Sequence, residues 1–318
     1  MTPVRDKLRL KLSIALVPIL LALSNMGGVR CVFAHDKLVV AIQPSVSSDK
    51  MLKKARPLEK FLRDSLGGKT DVQLYIPTSY AGVVESLRFG HAHIAFMSAW
   101  PAQLAVQLGG AEVPLAEVRR VMLGDKVANS TSYFSYWVVQ PRSPYKNLES
   151  LKGKSVCFPS PISTSGYVAP LGRMVELQLI PAGKGKEADA TTFFKDVVFG
   201  GGYGQCWQAL QQGQVDVTII AGDVSERLYR EVLASTRIVE EQGPIPSHAV
   251  VVSKELKEPL RSRAIGTISK LADSAHQSLM RSFISSTFVG FRPTTAAKHL
   301  GPLNIYLKLV GLKYTERL

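Results

Sequence analysis

From residue 37 onward, short apolar runs typical of buried strands alternate with longer runs that have helical spacing. The run "KLVVAIQP" precedes "SSDKMLKKARPLEKFLRDSLGG", in which apolar residues recur on one helical face until two glycines close the run. The same order continues with "DVQLYIP", "YAGVVESLRFG" and "HIAFMSA". Alternation of this kind predicts an α/β fold with a largely parallel sheet.

Two long strand-like runs divide the alternation into parts. The first, "TSYFSYWVVQP", has no helix of its own, and the alternation restarts after it with "KSVCFPS". The second, "SHAVVVS", leads into helical sequence over roughly 257–318. We expect the chain to cross between two lobes in these two runs. Residues 35–134 plus 243–318 would then form lobe 1, and residues 135–242 lobe 2.

An internal similarity supports two lobes of related design. When Tyr80 is set over Tyr203, "YAGVVESLRFGHAHIAFM" lies over "YGQCWQALQQGQVDVTII". Each copy predicts a helix that opens on a tyrosine, a glycine stop and a buried strand. Coincidence is the alternative, because this order is common in α/β proteins. As ligands bind where strands end and helices begin, both tyrosines are expected to face a cleft between the lobes.

The first 34 residues have the pattern of a secretory signal peptide. A basic start precedes "LSIALVPILLAL", which is shorter than the ~20 residues of a spanning helix, and a small residue, Ala34, marks the exit. An uncleaved anchor is the alternative. We expect the mature chain to begin near His35, outside the cytoplasm. It would keep 34 basic and 24 acidic residues, a surplus that attracts anions or serves solubility. No long basic run suggests nucleic acid as a partner.

Few side chains suit a metal or a disulfide. Outside the predicted signal peptide the cysteines are Cys157 and Cys206. In an oxidising compartment they can pair, and otherwise they are small buried apolar residues; both alternatives stay open. No spacing indicates a zinc site, and no cofactor is implied.

Three hydroxyl residues in a row, Ser163, Thr164 and Ser165, follow a predicted strand and turn and precede a helical run. The first turn of a helix leaves about four backbone N–H groups unpaired and carries roughly half a positive charge. Added hydroxyl donors make such an end suitable for a tetrahedral oxyanion without help from any arginine. The alternative is an ordinary helix cap, which needs one hydroxyl of the three.

The sequence gives less support to a catalytic role for these hydroxyl residues than to a binding role. No G-x-S-x-G elbow and no S-x-x-K motif surrounds these serines. The glycine-rich "GGGYG" lacks the lysine of a phosphate-binding P-loop. The residues therefore favour a binding protein over an enzyme, and a hydrolase is the enzyme class that stays open.

Several stretches together resemble the periplasmic phosphonate- and phosphite-binding proteins of ABC importers. The resemblance rests on "TSYAGVVESLRFGHAHIAF", "NLESLKGKSVCFPSPISTSGYVAP", "LQQGQVDVTII" and "PIPSHAVVVSKEL". It implies an α/β, two-lobed type II periplasmic solute-binding fold with two hinge-strand crossovers. It also implies that Ser163, Thr164 and Ser165 grip the oxyanion, that Tyr80 is the cleft tyrosine, and that Trp100 takes a further aromatic position.

The sequence departs from the family pattern at two places. Tyr203 stands where histidine is usual, and Ala221 and Gly222 stand where many members carry an acidic residue. Both departures argue against an aminophosphonate ligand. Tyr203 would form an aromatic wall with Tyr80 and Trp100; core packing is the alternative for Tyr203 and Trp100. Phosphite, phosphate and small alkylphosphonates stay open, and relatives are also assigned to arsenic oxyanions.

The resemblance also implies the partners. We expect a monomeric receptor that delivers a small oxyanion to an ABC permease in the inner membrane. The alternative is a ligand-sensing periplasmic subunit, for a phosphorus or arsenic oxyanion, that reports to a membrane histidine kinase.

Overall fold

The computed structural model describes residues 36–43, 48–182, 186–282 and 284–312. The predicted signal peptide, residues 1–34, lies outside the described residues. Within the described ranges, no helix has both the length and the apolar character needed to cross a bilayer.

The first of two sheets has seven strands and is mixed, with parallel pairs on one side and antiparallel pairs on the other. In spatial order the strands are β12 (Phe288–Pro293), β4 (Glu112–Leu123), β11 (Ala249–Val252), β3 (Ile94–Met97), β1 (Asp36–Ile42) and β2 (Thr70–Tyr75), with β5 (Lys126–Ser130) on β4. Strand β1 pairs in parallel with β2 and β3, whereas β4 pairs antiparallel with β5, β11 and β12.

Five helices belong to this first sheet: α1 (Ser48–Ser65), α2 (Tyr80–Arg88), α3 (Ala99–Gly109), α7 (Leu260–Ser269) and α8 (Gln277–Arg281). Helix α1 ends at two glycines with positive φ, Gly67 and Gly68, as its sequence predicts. Leu58 and Leu62 of this helix are fully buried in a core with strand β1 and helix α7. The helical spacing of its apolar residues therefore reflects burial of one face against the sheet.

The second sheet has five strands, all from the part of the chain between the two crossings from one lobe to the other. Its spatial order is β10 (Arg237–Pro246), β6 (Ser132–Val139), β9 (Val217–Ala221), β7 (Ser155–Phe158) and β8 (Asp196–Phe199). Its helices are α4 (Ala169–Glu176), α5 (Tyr203–Gln211) and α6 (Glu226–Ala234). The expectation of a largely parallel sheet therefore holds only for half of each sheet, because the returning strands β6, β10 and β11 run antiparallel to their neighbours.

The two passages between the sheets lie side by side. The backbone N–H of Ser247 donates to the carbonyl of Thr131 over 2.9 Å. The last helix, α9 (Ala296–Val310), packs against α3 and β4 of the first sheet and also against α4 and β10 of the second. The C-terminal helix therefore contacts both lobes, since its buried face meets elements of each.

The prediction of helices throughout 257–318 is wrong at one place. Residues Phe288–Pro293 form the edge strand β12, which pairs with β4. Phe288 is fully buried, so its position depends on the partner strand and not on a local periodicity.

The internal similarity is visible in the structure. Helices α2 and α5 each have nine residues and begin at Tyr80 and Tyr203. Each is followed by a glycine with positive φ, Gly90 at 71° and Gly213 at 69°. Strands β3 and β9 come next, and both are completely buried. The two lobes therefore place equivalent helix starts at the same position relative to their sheets.

Cys157 and Cys206 form a disulfide between β7 and α5. The bond settles the alternative left open above. Gly200 lies beside it, and a side chain there would approach the sulfur of Cys206 to 2.7 Å. The disulfide and this glycine hold the start of α5 close to the end of β7, where the hydroxyl row follows.

Candidate functional site

A cavity of about 540 Å³ lies between the two sheets. Its wall contains five of the six predicted site residues, Tyr80, Ser163, Thr164, Ser165 and Tyr203. Further lining residues include Gln43, Ser98, Arg119, Tyr133, Asp223 and His248. Both lobes contribute, as expected for a two-lobed binding protein.

Four helix starts meet at this cavity. Ser79 caps α2, Ser98 precedes α3, Ser163 caps the turn before α4, and Gly202 precedes α5. The first turn of a helix has backbone N–H groups without intrahelical partners and carries the positive end of the helix dipole. At α3 the Trp100 N–H is already bonded to Thr164. The convergence of four such ends makes the cavity favourable for an anion.

The hydroxyl row begins a π turn, Thr164–Val168, that runs into α4. The Ser163 hydroxyl accepts a hydrogen bond from the Gly166 N–H over 3.1 Å. A side chain at Gly166 would come within 2.6 Å of Pro159 and 2.8 Å of that hydroxyl. The glycine is therefore required for the close turn, and the predicted helix start at this row is confirmed.

Ser165 connects two buried tyrosines. Its hydroxyl accepts from the Tyr133 hydroxyl over 3.0 Å and lies 2.7 Å from the Tyr203 hydroxyl. Burial, and then the nearby carboxylate of Asp223, raise the pKa of both phenols above the usual value. Both tyrosines therefore keep their protons at neutral pH and can act as hydrogen-bond donors.

Gln43, which follows β1, is a wall residue that sequence reasoning missed. Its side-chain oxygen accepts from the N–H of Ser98 over 2.9 Å and from the Ser98 hydroxyl over 3.1 Å. Burial raises the pKa of Tyr80, and a hydrogen bond from the Gln43 side chain opposes that rise. Because the Gln43 oxygen accepts at the start of α3, the amide nitrogen is the donor of this side chain.

Trp100 lies elsewhere than expected. Its side chain is 5% exposed and belongs to the large apolar core, and it is not among the cavity-lining residues. The bulky ring packs with the apolar residues of α3 and its neighbours. The backbone N–H of Trp100 nevertheless donates to the Thr164 hydroxyl over 2.8 Å. This bond joins the first lobe to the hydroxyl row of the second.

The expectation of a site without arginine needs correction. Arg119 of β4 lines the cavity with only 5% of its side chain exposed. Its guanidinium donates to Glu117 over 2.8 Å and to Asp223 over 2.6 Å. Burial acts to lower the pKa of Arg119, but the two carboxylates outweigh burial and raise it. Because one cation faces two carboxylates, this cluster adds no net positive charge to the site.

The carboxylate thought to be missing after β9 is present two residues further on. Asp223 is 93% buried in the cavity wall. Gly222 precedes it, with its N–H bonded to the carbonyl of Phe134 and its carbonyl to the N–H of Met122. A side chain at Gly222 would come within 2.5 Å of the Met122 carbonyl oxygen, so only glycine fits there. Burial raises the pKa of Asp223, and the charge and the hydrogen bond of Arg119 oppose that rise.

His248 lines the same wall, and burial followed by the charge of Arg119 lowers its pKa well below the usual value. A neutral imidazole at this place adds no charge at neutral pH. Within the described residues, no cluster of His, Cys, Asp or Glu has metal-binding geometry. The arrangement can hold an oxyanion among hydroxyl and backbone donors. One carboxylate beside them can accept a hydrogen bond from a protonated oxygen of such an anion.

Comparison with known proteins also indicates a substrate-binding protein. A family model described as ABC transporter, phosphonate, periplasmic substrate-binding protein matches residues 40–299. The phosphate-import protein PhnD of Mycolicibacterium smegmatis is 29% identical over 184 residues. That match covers 57% of this chain and 54% of the relative, so the chain spans about half the length of that relative.

Solved structures share the fold. The binding protein component of an ABC phosphonate transporter from Pseudomonas aeruginosa has a TM-score of 0.69 at 19% identity, covering 87% of both chains. XAC2383 from Xanthomonas citri, bound to ATP, has a TM-score of 0.68 at 16% identity, covering 86% of this chain and 97% of that chain. PhnD1 from Prochlorococcus marinus, in complex with methylphosphonate, has a TM-score of 0.65 at 15% identity, covering 87% of this chain and 99% of that chain.

These likenesses confirm the expected two-lobed type II binding fold. The family consists of substrate-binding proteins, in agreement with the preference for a binding protein over an enzyme. Since its model matches the chain from residue 40 to residue 299, the protein belongs to the periplasmic substrate-binding proteins of phosphonate ABC transporters.

Proposed function

We propose that the protein binds a small phosphorus oxyanion between its lobes and delivers it to an ABC permease in the inner membrane. The observation that carries this proposal is the convergence of the hydroxyls of Ser163, Ser165 and Tyr203 with four helix starts on one cavity. Hydrogen bonds to a charged partner contribute ~1.5–3 kcal/mol each. A few of them lead to micromolar or tighter affinity, roughly 8–12 kcal/mol.

The buried carboxylate of Asp223 favours phosphorus over sulfur. A fully deprotonated anion is repelled by a carboxylate in the same dry cavity. Phosphate, phosphite and alkylphosphonates carry an acidic proton near neutral pH, and that hydroxyl can donate to Asp223. Sulfate has no such proton. Asp223 would therefore act together with the hydroxyl row in selecting the ligand.

The ligands named for relatives support the same class. The mycobacterial relative is a phosphate-import protein, and the Prochlorococcus neighbour is in complex with methylphosphonate. We infer that phosphonate, phosphite or phosphate is the ligand of this chain, with Ser163, Thr164, Ser165, Tyr80, Tyr203 and Asp223 as contact residues.

Closure of the lobes would remove water from the ligand and strengthen each polar contact. The bond from Trp100 to Thr164 joins the lobes at the hydroxyl row. Export through the N-terminal segment and action as a monomer belong to the same proposal. A sensory subunit would use the same cavity; stimulation of a reconstituted permease and ATPase by the loaded protein distinguishes the importer from the sensor.

Isothermal titration calorimetry with phosphite, phosphate, methylphosphonate and arsenite tests the ligand class, with sulfate as the control anion. We expect at least one of the phosphorus compounds to bind with micromolar or tighter affinity and sulfate to bind much more weakly. Ser165→Ala should weaken binding, whereas Ser262→Ala, which removes a hydroxyl paired with Glu258 outside the cavity, should not. Absence of binding by all three phosphorus compounds contradicts the proposal.

A further inference from the structure

The cavity is larger than a bare oxyanion requires. Its volume of about 540 Å³ lies within the roughly 300–1,000 Å³ of pockets that hold drug-sized ligands. The hydroxyl row and Tyr203 occupy the lining contributed by the second lobe. The lining also includes Met51 and Lys54 of α1, and Arg281 at the end of α8. Space therefore extends from the oxyanion donors to residues that the oxyanion itself does not need.

Positively charged side chains outnumber negatively charged ones in the described part of the cavity lining. Among the residues that the structure describes, the charged members of the lining are Lys54, Arg119, Asp223 and Arg281. Arg119 and Asp223 pair with each other over 2.6 Å. Within the part of the chain that the structure describes, neither Lys54 nor Arg281 has a carboxylate within 4.0 Å. Two cations without a matching carboxylate thus border the cavity, in addition to the donors of the oxyanion site.

Arg281 is held in place by the backbone. Its Nε donates to the carbonyl of Phe288 over 2.6 Å, which leaves the terminal nitrogens of the guanidinium as donors. Ser285, four residues on, also lines the cavity, and its buried hydroxyl has no partner among the described residues. An unpaired buried hydroxyl is costly unless a ligand or water satisfies it.

The space continues past Arg281. A second cavity of about 300 Å³ shares Val224, Ser225, Arg281 and Ser286 with the first. Its one acidic lining residue among those described, Glu226, is already paired with Arg230 over 3.0 Å and with Arg120 over 3.5 Å. This carboxylate therefore does not offset the charge of Arg281.

We propose that the ligand carries a second anionic group, and that Lys54 and Arg281 bind it. The ligand class is an alkylphosphonate with a carboxylate on a short chain. The inference rests on the proposed function, which places the phosphonate at the hydroxyl row. A guanidinium and an ammonium attract a carboxylate and repel an ammonium group. The substituent is therefore anionic rather than an amine.

The experiment compares the affinities of four phosphonates by calorimetry at low ionic strength, where such contacts are least screened. The ligands are methylphosphonate, 2-aminoethylphosphonate, phosphonoacetate and 3-phosphonopropionate. We expect one of the two carboxylates to bind roughly tenfold more tightly than methylphosphonate, and the amine to bind more weakly. Lys54→Gln and Arg281→Gln should each weaken binding of the carboxylate more than binding of methylphosphonate, and so reduce the advantage of the carboxylate. Lys257→Gln, which removes a surface charge outside the lining, is the matched control.

The outcomes separate the two proposals. If methylphosphonate binds and neither carboxylate binds more tightly, the anionic substituent is excluded while the proposed function stands. If the advantage survives in the Lys54→Gln, Arg281→Gln double variant, these residues do not provide it and the assignment fails. If no phosphonate binds, the proposed function fails and this inference fails with it. The comparison of ligands on the unaltered protein gives an answer even if a variant does not fold.

Discussion

The guanidinium of Arg119 donates to the carboxylate of Asp223 over 2.6 Å, and this bond joins strand β4 of the first sheet to the turn after β9 of the second. The same guanidinium donates to Glu117, which is fully buried. One cation thus serves two carboxylates at the place where the two sheets meet the cavity. Loss of the cation leaves both carboxylates without their charged partner.

Arg119→Met is expected to lower the free energy of unfolding by ~3–5 kcal/mol, because removal of one member of a buried ion pair leaves uncompensated charge. Asp223→Asn should cost less, since Arg119 keeps Glu117 as a partner. Urea denaturation of both variants measures the difference. Equal stability of Arg119→Met and the unaltered protein contradicts a structural role for the cluster.

Thr164→Val should weaken oxyanion binding by ~1.5–3 kcal/mol, the range for a hydrogen bond to a charged group. The same change removes the acceptor of the Trp100 N–H, so contact between the lobes is weakened as well. Titration followed by tryptophan fluorescence measures the affinity. Thr192→Val, which removes a hydroxyl bonded to Asp189 outside the cavity, is the control. An unchanged affinity for Thr164→Val would show that its hydroxyl does not contact the oxyanion.

Gly166→Ala should reduce ligand affinity by tenfold or more, about 1.4 kcal/mol. The added methyl group would meet the Ser163 hydroxyl and Pro159, both closer than 3.0 Å, so the hydroxyl row must shift. Gly266→Ala in α7 meets nothing within 4 Å and should leave affinity unchanged. Calorimetric titration of both variants with methylphosphonate provides the comparison; similar affinities would show that the turn tolerates displacement.

Replacement of both Cys157 and Cys206 by alanine should lower the free energy of unfolding by about 4 kcal/mol or somewhat less, as expected from loss of a crosslink between residues 49 apart in sequence. Urea denaturation with and without reductant tests this. Reductant should destabilise the unaltered protein and have no effect on the double variant. A double variant as stable as the oxidised protein is the contrary result.

Acid should destabilise the protein through His248. Because burial and Arg119 lower the pKa of its imidazole in the folded state, the unfolded chain binds the proton more readily. The stability that His248 contributes is present above pH ~6.5 and is lost as pH falls below that value. At pH 5.5 the loss reaches at most ~1.4 kcal/mol, less in proportion to the solvent access of the ring.

His248→Gln should have a smaller difference in unfolding free energy between pH 7.5 and pH 5.5 than the unaltered protein. Asp223, whose pKa is raised by burial, contributes in the opposite sense, gaining stability as pH falls. It is present in both proteins, so the comparison isolates the histidine. Urea denaturation at the two pH values measures it, and identical differences in both proteins would exclude His248.

Local patterns in the sequence were sufficient for those parts of the fold that depend on neighbouring residues. The helix starts at Tyr80 and Tyr203, the glycine stops and the hydroxyl row at Ser163 were all predicted from short stretches. A helix start and its unpaired N–H groups are properties of a few consecutive residues. The amino-acid sequence alone is therefore enough to predict where these helix starts and the hydroxyl row lie along the chain.

Strand β4 carries a further signal in its sequence. Residues 113, 115, 117, 119 and 121 are all buried, and two of them are the charged Glu117 and Arg119. Charged residues on a buried face are almost never left unpaired. Period-two spacing thus indicates a buried ion pair, but it cannot name Asp223 as the third member, 104 residues further along the chain.

Other features depend on contacts between distant segments. Trp100 has its ring in the core and its N–H on Thr164, 64 residues away, and β12 is a strand because it pairs with β4. Gln43 reaches the site because its oxygen is taken by Ser98, 55 residues away. The amino-acid sequence determined where hydroxyl and helix-start N–H donors occur along the chain. Long-range packing specified which of them meet, and which charges are balanced, because side-chain burial and ion pairing are set by neighbours in space.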